Sequence, residues 1–103
     1  MVHHAREESE AFRALPREVK ERLHLEILMP PPLRHRGSWG EWLQAWLEDE
    51  AATGRSLGAI AARMDYPHYD DAKWDEPWDF LERHVAWLIA RGYARVVCLE
   101  PLH

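Results

Sequence analysis

Cysteine is nearly absent from this chain. Cys98 is the only one, so no intrachain disulfide can form and a reducing compartment is expected. Long apolar runs are missing as well. None approaches the ~20 residues that a membrane span requires. The opening Met-Val-His-His, followed by mixed charge, lacks the apolar stretch of a signal peptide. A cytoplasmic location and no membrane contact are therefore expected. Glycine is sparse, and Gly37, Gly40, Gly54, Gly58 and Gly92 are too scattered to form a phosphate-cradling loop. Positive charge is in deficit, with 13 basic against 18 acidic residues and a net charge of −5. Attraction to a polyanion needs the opposite balance, so nucleic acid and anionic lipid are disfavoured as whole-surface partners.

What the chain does have is apolar and aromatic bulk. Its 103 residues suffice for one domain, and 47% are hydrophobic, the fraction of a chain that folds. Six Trp, three Tyr and two Phe supply most of the large rings such a small core needs.

Phe12, Leu15, Val19, Leu23 and Ile27 recur at steps of three and four, which predicts a helical N-terminal extension over residues 1–29. Pro16 splits it into a short helix to about Ala14 and a second over residues 16–28. Pro30, Pro31 and Pro32 then form a stiff connector over residues 30–37. Ser38 and Glu41 have capping-box spacing, and Trp39, Trp42, Leu43, Trp46 and Leu47 make a helical stripe that Gly54 ends. Ser56 caps a short helix with Leu57, Ile60, Ala61 and Met64 on its buried side. A polar, aromatic loop covers residues 65–76. Pro77 then begins a helix with Trp78, Leu81, Val85 and Leu88 inward, which Gly92 ends. The β-branched run at residues 95–99 reads as a strand, with Cys98 packed in it, and Pro101 closes it.

From Arg55 onward, Ser56-Leu57 with Ile60-Ala61 and Met64, then Trp78, Leu81, Val85 and Leu88-Ile89, then Arg91-Gly92-Tyr93 and the Val96-Val97 strand, resemble the winged helix-turn-helix superfamily. The resemblance implies a mainly α fold: a winged-helix-like trihelical core over residues 38–103, with a short C-terminal β strand. It makes the last helix the recognition helix, and Arg83, His84, Arg91 and Arg95 the residues of a dimeric DNA-binding regulator. The same shape is also similar to small peptide-recognition elements, which implies a strand edge at residues 95–99 that pairs with a bound peptide.

Local charge redirects the expectation. Residues 65–82 hold Asp65, Asp70, Asp71, Asp75, Glu76, Asp79 and Glu82 against Lys73 alone, a balance of −6. Carboxylates at the start of a groove-reading helix oppose phosphate. The expected activity is therefore that of an adaptor working by protein–protein contact in a transcription- or DNA-associated process. Its contact surface would be Tyr66, Tyr69, Asp70, Asp71, Trp74, Trp78 and Asp79, because exposed Tyr and Trp are favoured interface anchors. The apolar N-terminal face from Phe12 to Ile27 would pack on its own core or across a two-fold, as in a homodimer.

Catalysis is not expected. Ser9, Ser38 and Ser56 have no nucleophile motif around them. Asp65, Asp70, Asp71 and Asp75 lack the alternation and central glycine of a calcium loop, and no zinc-type spacing exists. No cofactor and no metal site is expected.

Overall fold

The strand that closes the sheet comes from a segment whose spacing predicts a helix. In the computed structural model, which describes residues 4–36, 41–64 and 76–99 (the side chains of 41 and 42 excepted), helix α1 spans Ala5–Ala14. The chain turns at Pro16 into a single helical turn, α2, over Arg17–Lys20. It then extends as strand β1, His24–Ile27, instead of continuing helically to residue 28. The physical reason is the second period hidden in the same residues. Leu23, Leu25 and Ile27 alternate with His24 and Glu26, which suits one buried and one exposed sheet face. A partner strand 70 residues later decides between the two periods.

A 3-10 turn at Leu33–His35 follows the prolines. Pro31 is fully buried, and its carbonyl accepts a hydrogen bond from Arg36 Nε at 2.8 Å, which anchors the connector. Three further helices come next: α3 (Glu41–Ala52), α4 (Leu57–Arg63) and α5 (Pro77–Ala90), with strand β2 at Ala94–Val97. Gly54 and Gly92 adopt φ of +74° and +78° after α3 and α5, the left-handed stops that a side chain would strain. Ser56 Oγ accepts the Ala59 amide at 3.2 Å, the expected cap of α4. Pro77 is the first residue of α5. The capping box at Ser38, the side chains of Trp39 and Trp42, and loop residues 65–75 lie outside the described residues.

β1 and β2 pair antiparallel, with His24 opposite Val97, Leu25 opposite Val96, Glu26 opposite Arg95 and Ile27 opposite Ala94. Leu25, Ile27, Ala94 and Val96 therefore share the inner face. On its other side β1 meets Ser56 through an isolated bridge from His24, and the Leu57 amide donates to Leu23 O at 2.8 Å. β1 is thus flanked on both sides. Cys98 falls just past β2 and is exposed, not packed as the apolar run suggested.

Helix α5 runs through the middle of the core. Its Leu81, Val85 and Leu88 belong to one cluster with Leu43 and Leu47 of α3 and Leu57 and Ile60 of α4, all fully buried. Each such side chain contributes roughly 1.5–3 kcal/mol by leaving water. Phe12 of α1, Leu23 and Leu25 join the same cluster. The N-terminal apolar face is therefore largely spent within its own chain.

Candidate interaction surfaces

The helix assigned to groove reading has little surface to offer. Eight of the 14 residues of α5 are buried: Trp78, Phe80, Leu81, His84, Val85, Ala86, Leu88 and Ile89. Only Arg83 and Ala90 are exposed. The cover comes from the N-terminal extension. Ala5, Ser9 and Phe12 lie at i, i+4 and i+7 on the buried side of α1. Ser9 Oγ donates to the Ala86 carbonyl at 2.7 Å. Lys20 Nζ, with 7% side-chain exposure, pairs with Glu82 Oε1 at 2.9 Å and also donates to Arg13 O at 3.1 Å. Arg17 pairs with Glu21 and Glu76, and its guanidinium sits 5.4 Å over the Trp78 ring. The Glu21 hydrogen bond is the main cause that raises the Arg17 pKa above its ordinary value.

This arrangement changes the meaning of the acidic run. Glu76 and Glu82, two of its seven carboxylates, are neutralised by cations of the N-terminal extension. Trp78 is 3% exposed and belongs to the core, so it lacks the exposed ring of an interface anchor. Asp79 is half-buried in the first turn of α5. Tyr66, Tyr69, Asp70, Asp71 and Trp74 lie outside the described residues.

The four residues considered for DNA do not form one patch. Arg83 is exposed on α5. Arg91, at its C-cap, lies 5.9 Å over the Trp87 ring. Arg95 stands on the outer face of β2, where Nη2 pairs with Glu26 Oε1 at 2.9 Å. His84 is 1% exposed, so it belongs to the interior and not to the surface where the sequence reading put it.

His84 heads a polar chain that sequence reasoning missed. Its Nε2 lies 2.7 Å from Gln44 Oε1, and Gln44 Nε2 donates to Glu48 Oε2 at 2.8 Å. A carboxylate only accepts, so the Gln44 amide nitrogen must face Glu48, and its oxygen must face His84. His84 therefore carries its proton on Nε2. Its ring stacks on Trp87 at 5.7 Å, and burial pulls its pKa down to about 4. The partner sits 40 residues away on another helix, which is why no local spacing announces it.

Two of the concavities are lined by described residues. One, of about 440 Å³, lies among Arg17, Glu21, Gly58, Met64, Glu76 and Trp78. The other, of about 390 Å³, runs between α1 and β2 and is mostly apolar, with Ala11, Phe12, Leu15, Ile89 and Val96 as its floor and walls. Glu8 and Arg95 also line it. Among the described residues, no cluster of His, Cys, Asp and Glu suits a metal ion, and no helix is long and apolar enough to cross a membrane. No family model, curated protein or solved structure matches the chain.

Proposed function

We propose that this protein is a winged-helix-like adaptor that acts by protein–protein contact. The succession α3, α4, α5 and β2 supports the scaffold: two helices, a longer third, then a strand beyond a glycine turn. The His24–Ser56 bridge adds a short strand contact just ahead of α4. In this reading the order is rearranged, since β1, from ahead of the trihelical core, supplies the strand that pairs with β2. The transcription- or DNA-associated setting follows from likeness of scaffold alone, which does not fix function.

One observation carries the choice of protein over DNA: α1 and α2 occupy the flank of α5 through Ser9, Lys20 and Arg17. A recognition helix must lay an open face in a major groove about 12 Å wide. Here that face is taken, and Arg83, Arg91 and Arg95 are spread over α5, its cap and β2. The segment with Tyr66, Tyr69, Asp70, Asp71 and Trp74, which precedes Asp79 in the sequence, remains the adaptor's main contact in this proposal.

Two measurements test it. Gel shifts of the full chain with mixed-sequence duplexes at low ionic strength should show no complex. A salt-sensitive complex lost on changing Arg83, Arg91 and Arg95 to Ala would replace the adaptor by the DNA-binding regulator. Affinity capture should lose its partner with Trp74→Ala and with the Asp70→Asn/Asp71→Asn pair. Unchanged capture would remove the loop from the mechanism.

A further inference from the structure

The proline run between β1 and the 3-10 turn forms a second contact surface. We infer that residues 29–34 are a preformed polyproline ridge that docks in an aromatic-lined groove of a partner protein, with an acidic side chain of that partner beside Arg34. This goes beyond the adaptor reading of the 65–75 segment and stands on different residues.

Backbone sterics set the shape. Each of Pro30, Pro31 and Pro32 fixes its own φ at about −65° and keeps the residue before it extended, so Met29, Pro30 and Pro31 have no helical option. Pro32 has φ −58° and ψ 150°, the polyproline II values. Such a helix repeats every three residues and so has three edges. One edge rests on the protein, where Pro31 is fully buried and its carbonyl is bonded to Arg36. The other two face outward. Met29 and Pro32 stand three apart on one, Pro30 and Leu33 on the other, and all four are exposed, Met29 at 55% and Leu33 at 64%. Tyr93 fastens the run at both ends: its carbonyl accepts the Met29 amide at 3.1 Å, and its hydroxyl lies 2.7 Å from His35 Nδ1.

The same backbone selects the partner's chemistry. Residues 30–32 have no N–H, so an added β strand would meet no donor over three successive positions. Pro31 O already accepts from Arg36 and Pro32 O from the His35 amide at 2.8 Å, which leaves Pro30 O as the proline carbonyl open to a partner among the described residues. The ridge therefore offers ring and side-chain surface with one acceptor, and flat aromatic rings that carry a Trp or Tyr donor match it. Charge fixes the flank. Arg34 follows directly, is exposed, and bonds to its neighbour His35 Nε2 at 3.4 Å, with no ion pair among the described residues. Arg36, by contrast, lies 3.7 Å from Glu48. A carboxylate of the partner can thus engage the Arg34 guanidinium at the end of the ridge. Because the run is already extended and anchored, docking it costs little ordering entropy.

The test titrates the full chain, labelled with 15N and 13C, with a panel of purified WW-type and other proline-recognition domains that carry an acidic residue beside the aromatic groove. At least one should bind, and the shifts should map to the proline signals of residues 30–32 and the amides of Met29, Leu33 and Arg34. The pair Pro30→Ala/Pro32→Ala should weaken binding about tenfold, and Arg34→Glu should do the same. Changing the domain's acidic residue to Lys should recover the affinity lost with Arg34→Glu. The peptide acetyl-Leu-Met-Pro-Pro-Pro-Leu-Arg-amide needs no fold, so it reads the ridge even where a variant is unstable. It should compete for the same groove and bind it more weakly than the anchored ridge of the full chain. No binding by any domain, shifts that map elsewhere, unchanged affinity of both variants, or a peptide that binds more tightly than the folded chain would overturn the site. A concentration-dependent doubling of mass that moves the same signals without a domain would assign the ridge to a second copy, and also overturn it. If the panel fails while capture still depends on Trp74, the adaptor reading stands and the ridge alone falls.

Discussion

Lowering the pH should destabilise this protein through His84, and replacing His84 should remove that part of the response. The imidazole is 1% exposed and its pKa falls from 6.5 to about 4 through desolvation. The native state therefore binds fewer protons at this site than the unfolded chain does, and stability rises with pH between those two values. The shift of about 2.5 units corresponds to about 3 kcal/mol at full protonation, and between pH 7.5 and pH 4.5 about 2.5 kcal/mol should be lost. The variant His84→Leu keeps an apolar side chain in the site and leaves Gln44 Oε1 without its donor, which costs about 1–3 kcal/mol at neutral pH. Urea unfolding of both proteins at the two pH values measures the gap. It should shrink or change sign at the lower pH, because only the wild type must protonate a buried ring. The double variant His84→Leu/Gln44→Leu should recover part of the neutral-pH loss by removing the orphaned oxygen. Stability differences that stay parallel across the range, or an NMR titration of His84 with a midpoint near 6.5, would refute the reasoning.

Two further outcomes test how the N-terminal extension is held. Lys20→Met keeps side-chain bulk but leaves Glu82, itself 20% exposed, without its cation, and it deletes the bond to Arg13 O. A loss of about 2–4 kcal/mol is expected, and a urea midpoint within error of the wild type would show that water serves Glu82 as well. Gly58→Ala would add helix propensity, worth up to ~1 kcal/mol. Its Cβ would, however, stand 3.0 Å from Glu21 Cβ and 3.1 Å from Glu21 O, where the Gly58 amide already donates. Backbone cannot step aside as a flexible side chain can, so the net change should be a loss of about 1 kcal/mol in the same assay. A gain would mean that α2 is only loosely docked on α4.

Local chemistry made most of the helices legible. Pro77 at a first helical position, Ser56 with its hydroxyl on the Ala59 amide, and the glycine stops at 54 and 92 each act within a few residues of where they stand. The segment around Leu25 was different. Helical and alternating periods both fit Leu23 and Ile27, and pairing with β2 resolves the choice through contacts almost the whole chain apart. The site suffered most from distance. Arg17 and Lys20 neutralise Glu76 and Glu82 across 59 and 62 residues, so an acidic run computed along the sequence overstates the charge on that surface. Trp78 and His84 carry interface-like chemistry but stand on the inner side of a helix that is covered on nearly all sides, and only that cover reveals them as core.

The covering helix also explains why the open surface lies where it does. α1 packs along α5 and stops at Ala14, with Leu15 at its end and Pro16 turning the chain away. Had α1 lain over the sheet edge, β2 would be shielded and α5 free, the arrangement a DNA reader needs. Here α1 takes the α5 flank and stands apart from β2 by the width of a groove. A single placement thus covers one flank of α5 and leaves an apolar groove beside β2. Sheet edges normally carry charge or proline as protection against unwanted pairing. Within β2 only Arg95 meets that description, and it is held by Glu26. An edge protected so lightly, beside an apolar wall, is stable in a free protein only if the strand is short, and β2 has four residues. Its brevity limits promiscuous pairing.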